Sequence, residues 1–241
     1  MTLVFANALP DRARTYGEMA TTDEQVATFD RALDGFVAAY RPDVVLVACN
    51  TLSVLYPLTR FAARGEVPVL GIVDAGAAAL HARLRGEPGA AALLLGTPTT
   101  ISSGAHARAL AALGTPPGRI VGQACPALES EIQADPASDL VRSLVEAYAV
   151  AARQALARLP PRRVVAGLCC SHYGYARRAF EEALPAELGV PVDVVDPNAE
   201  MSRSLLARVR AAAYPGTATR VEVVSRAELP AGEREAIAAL L

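Results

Sequence analysis

Two cysteines carry the chemistry that this 241-residue chain could perform. Cys49 follows the apolar run VVLVA and Cys170 follows VVAGLC; small polar residues come next, Asn50-Thr51 and Ser171-His172. A thiol of ordinary pKa, about 8.5, is only a few per cent thiolate near neutrality. A helix N-terminus or a neighbouring cation raises that fraction. The position just past a strand in an α/β protein is where such an N-terminus points. Two thiols facing one cleft could serve as a base and an acid. The competing reading is a pair of small buried hydrophobes, the usual fate of free cysteine. His172 stands two residues after Cys170, where it could tune that thiol or share its proton, or simply satisfy backbone groups at a helix end. Cys125, before Pro126, reads as structural, and His81 and His106 read as ordinary helix-face residues.

Other residues could hold a substrate. The segment LLLGTPTTISS is a strand, then Gly96, then hydroxyls that open a helix. Thr97, Thr99, Thr100 and Ser102 could cap that helix or join backbone N–H groups around a carboxylate. Tyr16-Gly17, after the first strand, is a second candidate. Cys169, Cys170 and His172 could be read as zinc ligands, yet adjacent cysteines are poor joint ligands of one tetrahedral ion and no C-x2-C pair completes the set. No metal is expected. The chain contains no lysine. A pyridoxal-phosphate Schiff base and a P-loop are thereby excluded, and no cofactor is expected.

The elements that must position these residues alternate between short apolar runs and helical patterns. Strands are expected at Leu3–Phe5, Val44–Ala48, Val67–Val73, Ala91–Leu95, Arg119–Val121, Val164–Cys169, Val192–Val195 and Val221–Val224. A 3.6-residue apolar period predicts a helix from Asp23 to Tyr40, with Thr21 and Glu24 as a capping box. Another is expected from Ser138 to Leu159, ended by Pro160-Pro161. Such alternation means mostly parallel sheets covered by helices. The formal charge of −2 lacks the basic excess of a nucleic-acid footprint. No apolar run reaches the roughly 18–20 residues of a membrane helix. The N-terminus does not read as a signal peptide, and free thiols fit a reducing cytoplasm.

With these motifs in order, the chain resembles the aspartate/glutamate racemase family. Thr15-Tyr16-Gly17 is similar to the family's PYG turn, Cys49-Asn50-Thr51 to its ACNTAS motif, Gly96-Thr97 through Thr100 to GTxxT, Cys125-Pro126 to a CP pair, and LCCSHY (Leu168–Tyr173) to LGCTHY. The resemblance implies two pseudo-symmetric three-layer α/β domains with mostly parallel sheets and the active site between them. Their expected extents are 1–76 plus 195–241 and 77–194. It further implies a cofactor-independent racemase of glutamate or aspartate. Cys49 and Cys170 would be the acid–base pair on opposite faces of the α-carbon, with His172 assisting the second. Tyr16, Gly17, Asn50, Thr51, Thr97, Thr100 and Ser171 match substrate-binding positions. A small amino-acid substrate, a homodimer as a compatible assembly and, for glutamate, a role in supplying D-glutamate for peptidoglycan belong to the same implication.

The chain also departs from the family. The opening Asp-Ser-Gly-x-Gly-Gly strand has no counterpart, and TLVFAN resembles the family's second strand. Loss of a central strand leaves a gap in a parallel sheet, which leads one to expect either a longer natural protein or a diverged member. The family's glutamate downstream of the CP pair corresponds to Glu129 or Glu131, and spacing leaves both open. Cys169 replaces a glycine. The competing functions are an inactive carboxylate-binding member and a relative that decarboxylates or isomerises another carboxylate. No base-plus-orienter set marks a cysteine hydrolase.

Overall fold

The computed structural model describes residues 1–9, 15–158, 160–207 and 218–225, together with 227, 231, 232 and 235. Among these, eight strands run β1 (Thr2–Ala6), β2 (Val45–Val47), β3 (Val69–Gly71), β4 (Ala90–Gly96), β5 (Ile120–Ala124), β6 (Arg163–Cys169), β7 (Val192–Val195) and β8 (Arg220–Val224). Ten helices lie between them: α1 (Thr22–Tyr40), α2 (Asn50–Leu55), α3 (Arg60–Arg64), α4 (Ile72–Leu84), α5 (Pro98–Ser102), α6 (Ala105–Ala112), α7 (Leu128–Ala134), α8 (Asp139–Leu156), α9 (Arg177–Leu188) and α10 (Pro197–Leu206). Every strand pair is parallel, as the alternation predicts.

The larger sheet has the order β5-β4-β6-β7. Its two central strands are apolar on both faces, and the pleat sends alternate residues to opposite cores. Ala91, Leu93 and Leu95 join Val164, Ala166 and Leu168 in one core, beneath α7, α8 and α9. Ala90, Ala92 and Leu94 join Val165 and Cys169 in the other, beneath α4 and α6. Each fully buried leucine contributes about 1.5–3 kcal/mol. Helix α8 shows how the pattern becomes packing: Val141, Val145, Ala149, Ala152 and Leu156 form its buried stripe, and the Ser138 hydroxyl caps the Val141 amide at 3.2 Å. It ends at Leu156, and Leu159 lies outside the described residues. Gly167 in β6 lets α4 approach, since a Cβ there would stand 2.8 Å from Leu80.

The remaining strands form two separate pairs, β1-β8 and β2-β3, rather than one sheet. A third core, built from Tyr16, Phe29, Leu33, Val45, Val47, Leu52, Leu55 and Phe61, holds β2 against α1, α2 and α3. One expected strand is shorter than the apolar run implied: Val67–Val73 yields only Val69–Gly71, because Ile72 and Val73 open α4. A short apolar run does not distinguish a strand from the start of a buried helix. The Thr21 cap on the Glu24 amide is present at 3.1 Å, while the Glu24 carboxylate returns to the Ala20 amide rather than to Thr21.

Asp30 ties α1 to α3. It is 2% exposed, and its carboxylate accepts from the Phe61 amide at 2.8 Å and from Arg60 Nε at 3.0 Å. Burial opposes its charge, but the Phe61 N–H and the Arg60 and Arg64 guanidinium groups outweigh it and hold the carboxyl below its ordinary value. The stabilisation is therefore complete above the unfolded pKa of about 3.9 and lost as pH falls through the lower folded value. Asp30→Asn is expected to cost about 1–3 kcal/mol at pH 7. Urea unfolding of both proteins should show that difference shrinking below about pH 4.

Candidate active site

The structure delivers each cysteine by the same device, a parallel strand that ends and turns into a helix. β2 ends at Val47, and Cys49 is the N-cap of α2. The Ser53 hydroxyl secures this turn, donating to the Val47 carbonyl at 2.7 Å and accepting from the Ile72 amide at 3.2 Å. β6 ends at Cys169, and Cys170 is the N-cap of a 3-10 helix over Ser171–Ala176. Gly96, at the end of the adjacent strand, permits this turn: a Cβ there would lie 3.1 Å from the Cys169 carbonyl and 3.3 Å from its Cβ. Cys169 and Cys170 pack into different cores on opposite faces of β6, which removes them as joint metal ligands. The extra bulk of Cys169 is thus absorbed on the α4 side, with its thiol pushed up to about 12 by burial.

Burial raises the thiol of Cys49, and the amides of Leu52 and Thr51 and the Thr51 hydroxyl pull it back. Burial also raises Cys170 well above the ordinary value; a negative charge on Cys49 raises it further, and the His172 and Tyr173 amides oppose this. The two thiols thus feel one another. A negative charge on Cys49 therefore favours the protonated form of Cys170.

Three hydroxyls cluster where α2 meets the start of α5. Thr51 Oγ1 lies 3.0 Å from Thr97 Oγ1 and 3.3 Å from Thr100 Oγ1, and Thr97 and Thr100 are 3.0 Å apart. Thr97 also caps α5 through the Thr100 amide, so capping and clustering are served by one residue. Thr51 comes from α2, whereas Thr97 and Thr100 come from the end of β4 and from α5, and the contact joins the two cysteine-bearing units. Tyr16 and Gly17 lie in a 3-10 turn over Tyr16–Glu18; Tyr16 packs in the same core as Leu52, with Cys49 against it, and its hydroxyl donates to Ala8 O at 3.0 Å. Ser171 opens the helical turn after Cys170 and is partly exposed.

His172 Nδ1 is 3.8 Å from Cys170 Sγ, and its Nε2 is 3.3 Å from Gln133 Oε1. An amide oxygen only accepts, so the imidazole hydrogen sits on Nε2 and Nδ1 is left as an acceptor facing the thiol. Burial lowers the His172 pKa and keeps the ring neutral. Neither Glu129 nor Glu131 takes the partner position beside His172; Gln133 does. Glu129 and Gln133 are four residues apart and share a face of α7, while Glu131 is rotated away. Burial raises the Glu129 carboxyl, its charge in turn raises both Cys49 and Cys170, and its Oε2 is buried without a partner among the described residues.

The structure overturns a further sequence expectation here. His106 is not a helix-face residue but is 2% exposed, with Nε2 3.0 Å from Asn50 Oδ1. The pattern held a signal for it, because His106 and Leu110 share the buried face of α6 at an i, i+4 spacing. Cys125, by contrast, is structural as expected, fully buried with its carbonyl accepting from the Tyr173 hydroxyl.

A family model described as Asp/Glu/Hydantoin racemase matches residues 1–205. The chain belongs to the Asp/Glu/hydantoin racemase family. It is, accordingly, an enzyme of the isomerase class. The racemase relatives include the glutamate racemase of Desulforudis audaxviator, 29% identical over 235 residues that cover 93% of this chain and 78% of that one. Among solved racemases, the glutamate racemase of Campylobacter jejuni superposes with a TM-score of 0.71 at 20% identity, covering 98% of this chain and 87% of that one. The Francisella tularensis glutamate racemase in complex with D-glutamate gives 0.71 at 18% identity, over 99% and 82% of the two chains. These likenesses show that the chain has the two-domain racemase fold. No described helix is long and apolar enough to cross a membrane.

Proposed function

We propose that the protein interconverts L- and D-glutamate, with Cys49 and Cys170 as the two proton-transfer groups and no cofactor. The observation that carries this reading is the placement of the two thiols, each at a helix start and each following a strand of a different sheet. Inversion through a planar carbanion needs a base on one face and an acid on the other. A coupled pair that favours one thiolate and one thiol meets that need in either direction, with the roles exchanged. Without an electron sink, the carbanion must be met by close placement and fixed dipoles. Asn50, Thr51, Thr97, Thr100 and Ser171, with the Tyr16-Gly17 turn, are the groups we assign to holding the substrate. His172, neutral with Nδ1 towards the sulfur, orients the Cys170 thiol as a hydrogen-bond acceptor and assists its proton transfer.

Glu129 bears on which substrate fits. When ionised, its unpartnered oxygen favours a substrate whose far end donates a hydrogen bond, such as an amide or a hydantoin ring. When protonated, it can donate to the carboxylate of glutamate or aspartate. The test follows solvent exchange in D2O without added cofactor, for both enantiomers of glutamate, aspartate, glutamine and a 5-substituted hydantoin. Deuterium at the α-carbon together with inversion of glutamate is the expected result. Inversion of another member of the set alone would move the specificity, and no exchange with any of them would overturn the racemase reading.

A further inference from the structure

We propose that His106 is a positioning residue for this reaction, aiming the Asn50 side-chain amide so that its NH2 waits for the substrate carboxylate. The proposal rests on the racemase reading above. Asn50 is the first residue of α2, between Cys49 and Thr51, and it is 1% exposed. His106 comes from α6 of the other unit and lies against Gly76 of α4, where a Cβ would stand 3.9 Å from its Cδ2. The two meet at 3.0 Å through Asn50 Oδ1 and His106 Nε2.

Protonation and orientation follow from this contact. Burial pushes the His106 pKa down to about 4, so the ring is neutral and carries one N–H. Asn50 Oδ1 can only accept, and therefore the hydrogen is on Nε2. The same bond fixes which way the amide faces. Its Nδ2 is buried with no partner among the described residues, and so is His106 Nδ1. A structural asparagine–histidine pair would be expected to satisfy its donors, because an unmet buried donor is costly. Here the unmet donor belongs to the residue next to a reacting thiol. A carboxylate, which only accepts, is the group that completes it. Asn50 would otherwise be free to rotate its amide and present an oxygen, which repels a carboxylate.

The test measures KM, kcat and thermal unfolding for the wild type, His106→Leu, His106→Gln, Asn50→Ala and the His106→Leu/Asn50→Ala double variant. His106→Leu is expected to raise KM about tenfold and to change kcat less, the effect of losing one orienting hydrogen bond. His106→Gln supplies an amide N–H in place of Nε2–H and should recover most of that loss. In the Asn50→Ala background, His106→Leu should add nothing. Should His106→Leu fail to fold, His106→Asn, too short to reach Asn50, takes its place with the same expected KM. A wild-type KM in the non-bonding variant overturns the proposal whatever the melting temperature does. Independent effects that multiply in the double variant also overturn it. Either result leaves an active wild type, whereas a wild type inactive on every substrate overturns the racemase reading and this proposal together.

Discussion

Cys49→Ala and Cys170→Ala should each reduce racemisation by roughly a hundred- to ten-thousand-fold, the usual contribution of a positioned acid or base. The more telling result lies in the residual chemistry. Each variant keeps one thiol on one side of the substrate, and that thiol can still remove and return a proton on its own face. In D2O the two variants should therefore wash deuterium into opposite enantiomers without inverting either. Mass spectrometry of the recovered, chirally separated amino acid reads this directly. Both variants exchanging the same enantiomer would sink the two-face arrangement, as would racemisation within about tenfold of the wild-type rate in either one. Because burial raises both thiols above their ordinary value, the wild-type rate should climb with pH through the alkaline range.

Tyr173→Ala should cost about 3–5 kcal/mol of stability, the range for deleting a buried aromatic ring. Tyr173 is fully buried, its ring centroid lies 5.5 Å from that of Phe180, and its hydroxyl donates to Cys125 O at 3.3 Å. Its amide also donates to the Cys170 carbonyl at 3.1 Å, so the ring anchors the turn that carries the thiol. A domain's whole stability is about 5–15 kcal/mol, and a loss of this size should be plain in chemical denaturation. Tyr173→Phe keeps the ring and forfeits one hydrogen bond, and should cost only about 1 kcal/mol while racemase activity persists. A Tyr173→Ala protein within about 1 kcal/mol of wild type would contradict this account of the core.

The sequence made the fold legible because parallel strands buried on both faces leave unbroken apolar runs, as in Ala91–Leu95 and Val164–Cys169. The same property misled at Val67–Val73, where the run crosses from β3 into α4 without any polar break. The thiols and the threonines were legible because they follow strand ends. What contacts what across the units was not. Gln133 as the partner of His172, and His106 as the partner of Asn50, depend on how α7 and α6 are rotated against elements 39 and 56 residues away in sequence. Glu129 falls between these cases: its helical phase relative to Gln133 could be computed from spacing, but its nearness to both cysteines could not.

The junction between the units includes, beside the Asn50–His106 contact, three neutral hydroxyls, one from α2 and two from the start of α5. Bonds of this kind each contribute only about 1 kcal/mol, and hydroxyls trade partners without moving charge. Such a seam behaves as a latch rather than a weld. An arriving carboxylate can replace one hydroxyl partner with another acceptor at little cost, and departure of product can restore the original contact. Exchanges of this kind fit the microsecond-to-millisecond scale on which lids and domains open and close.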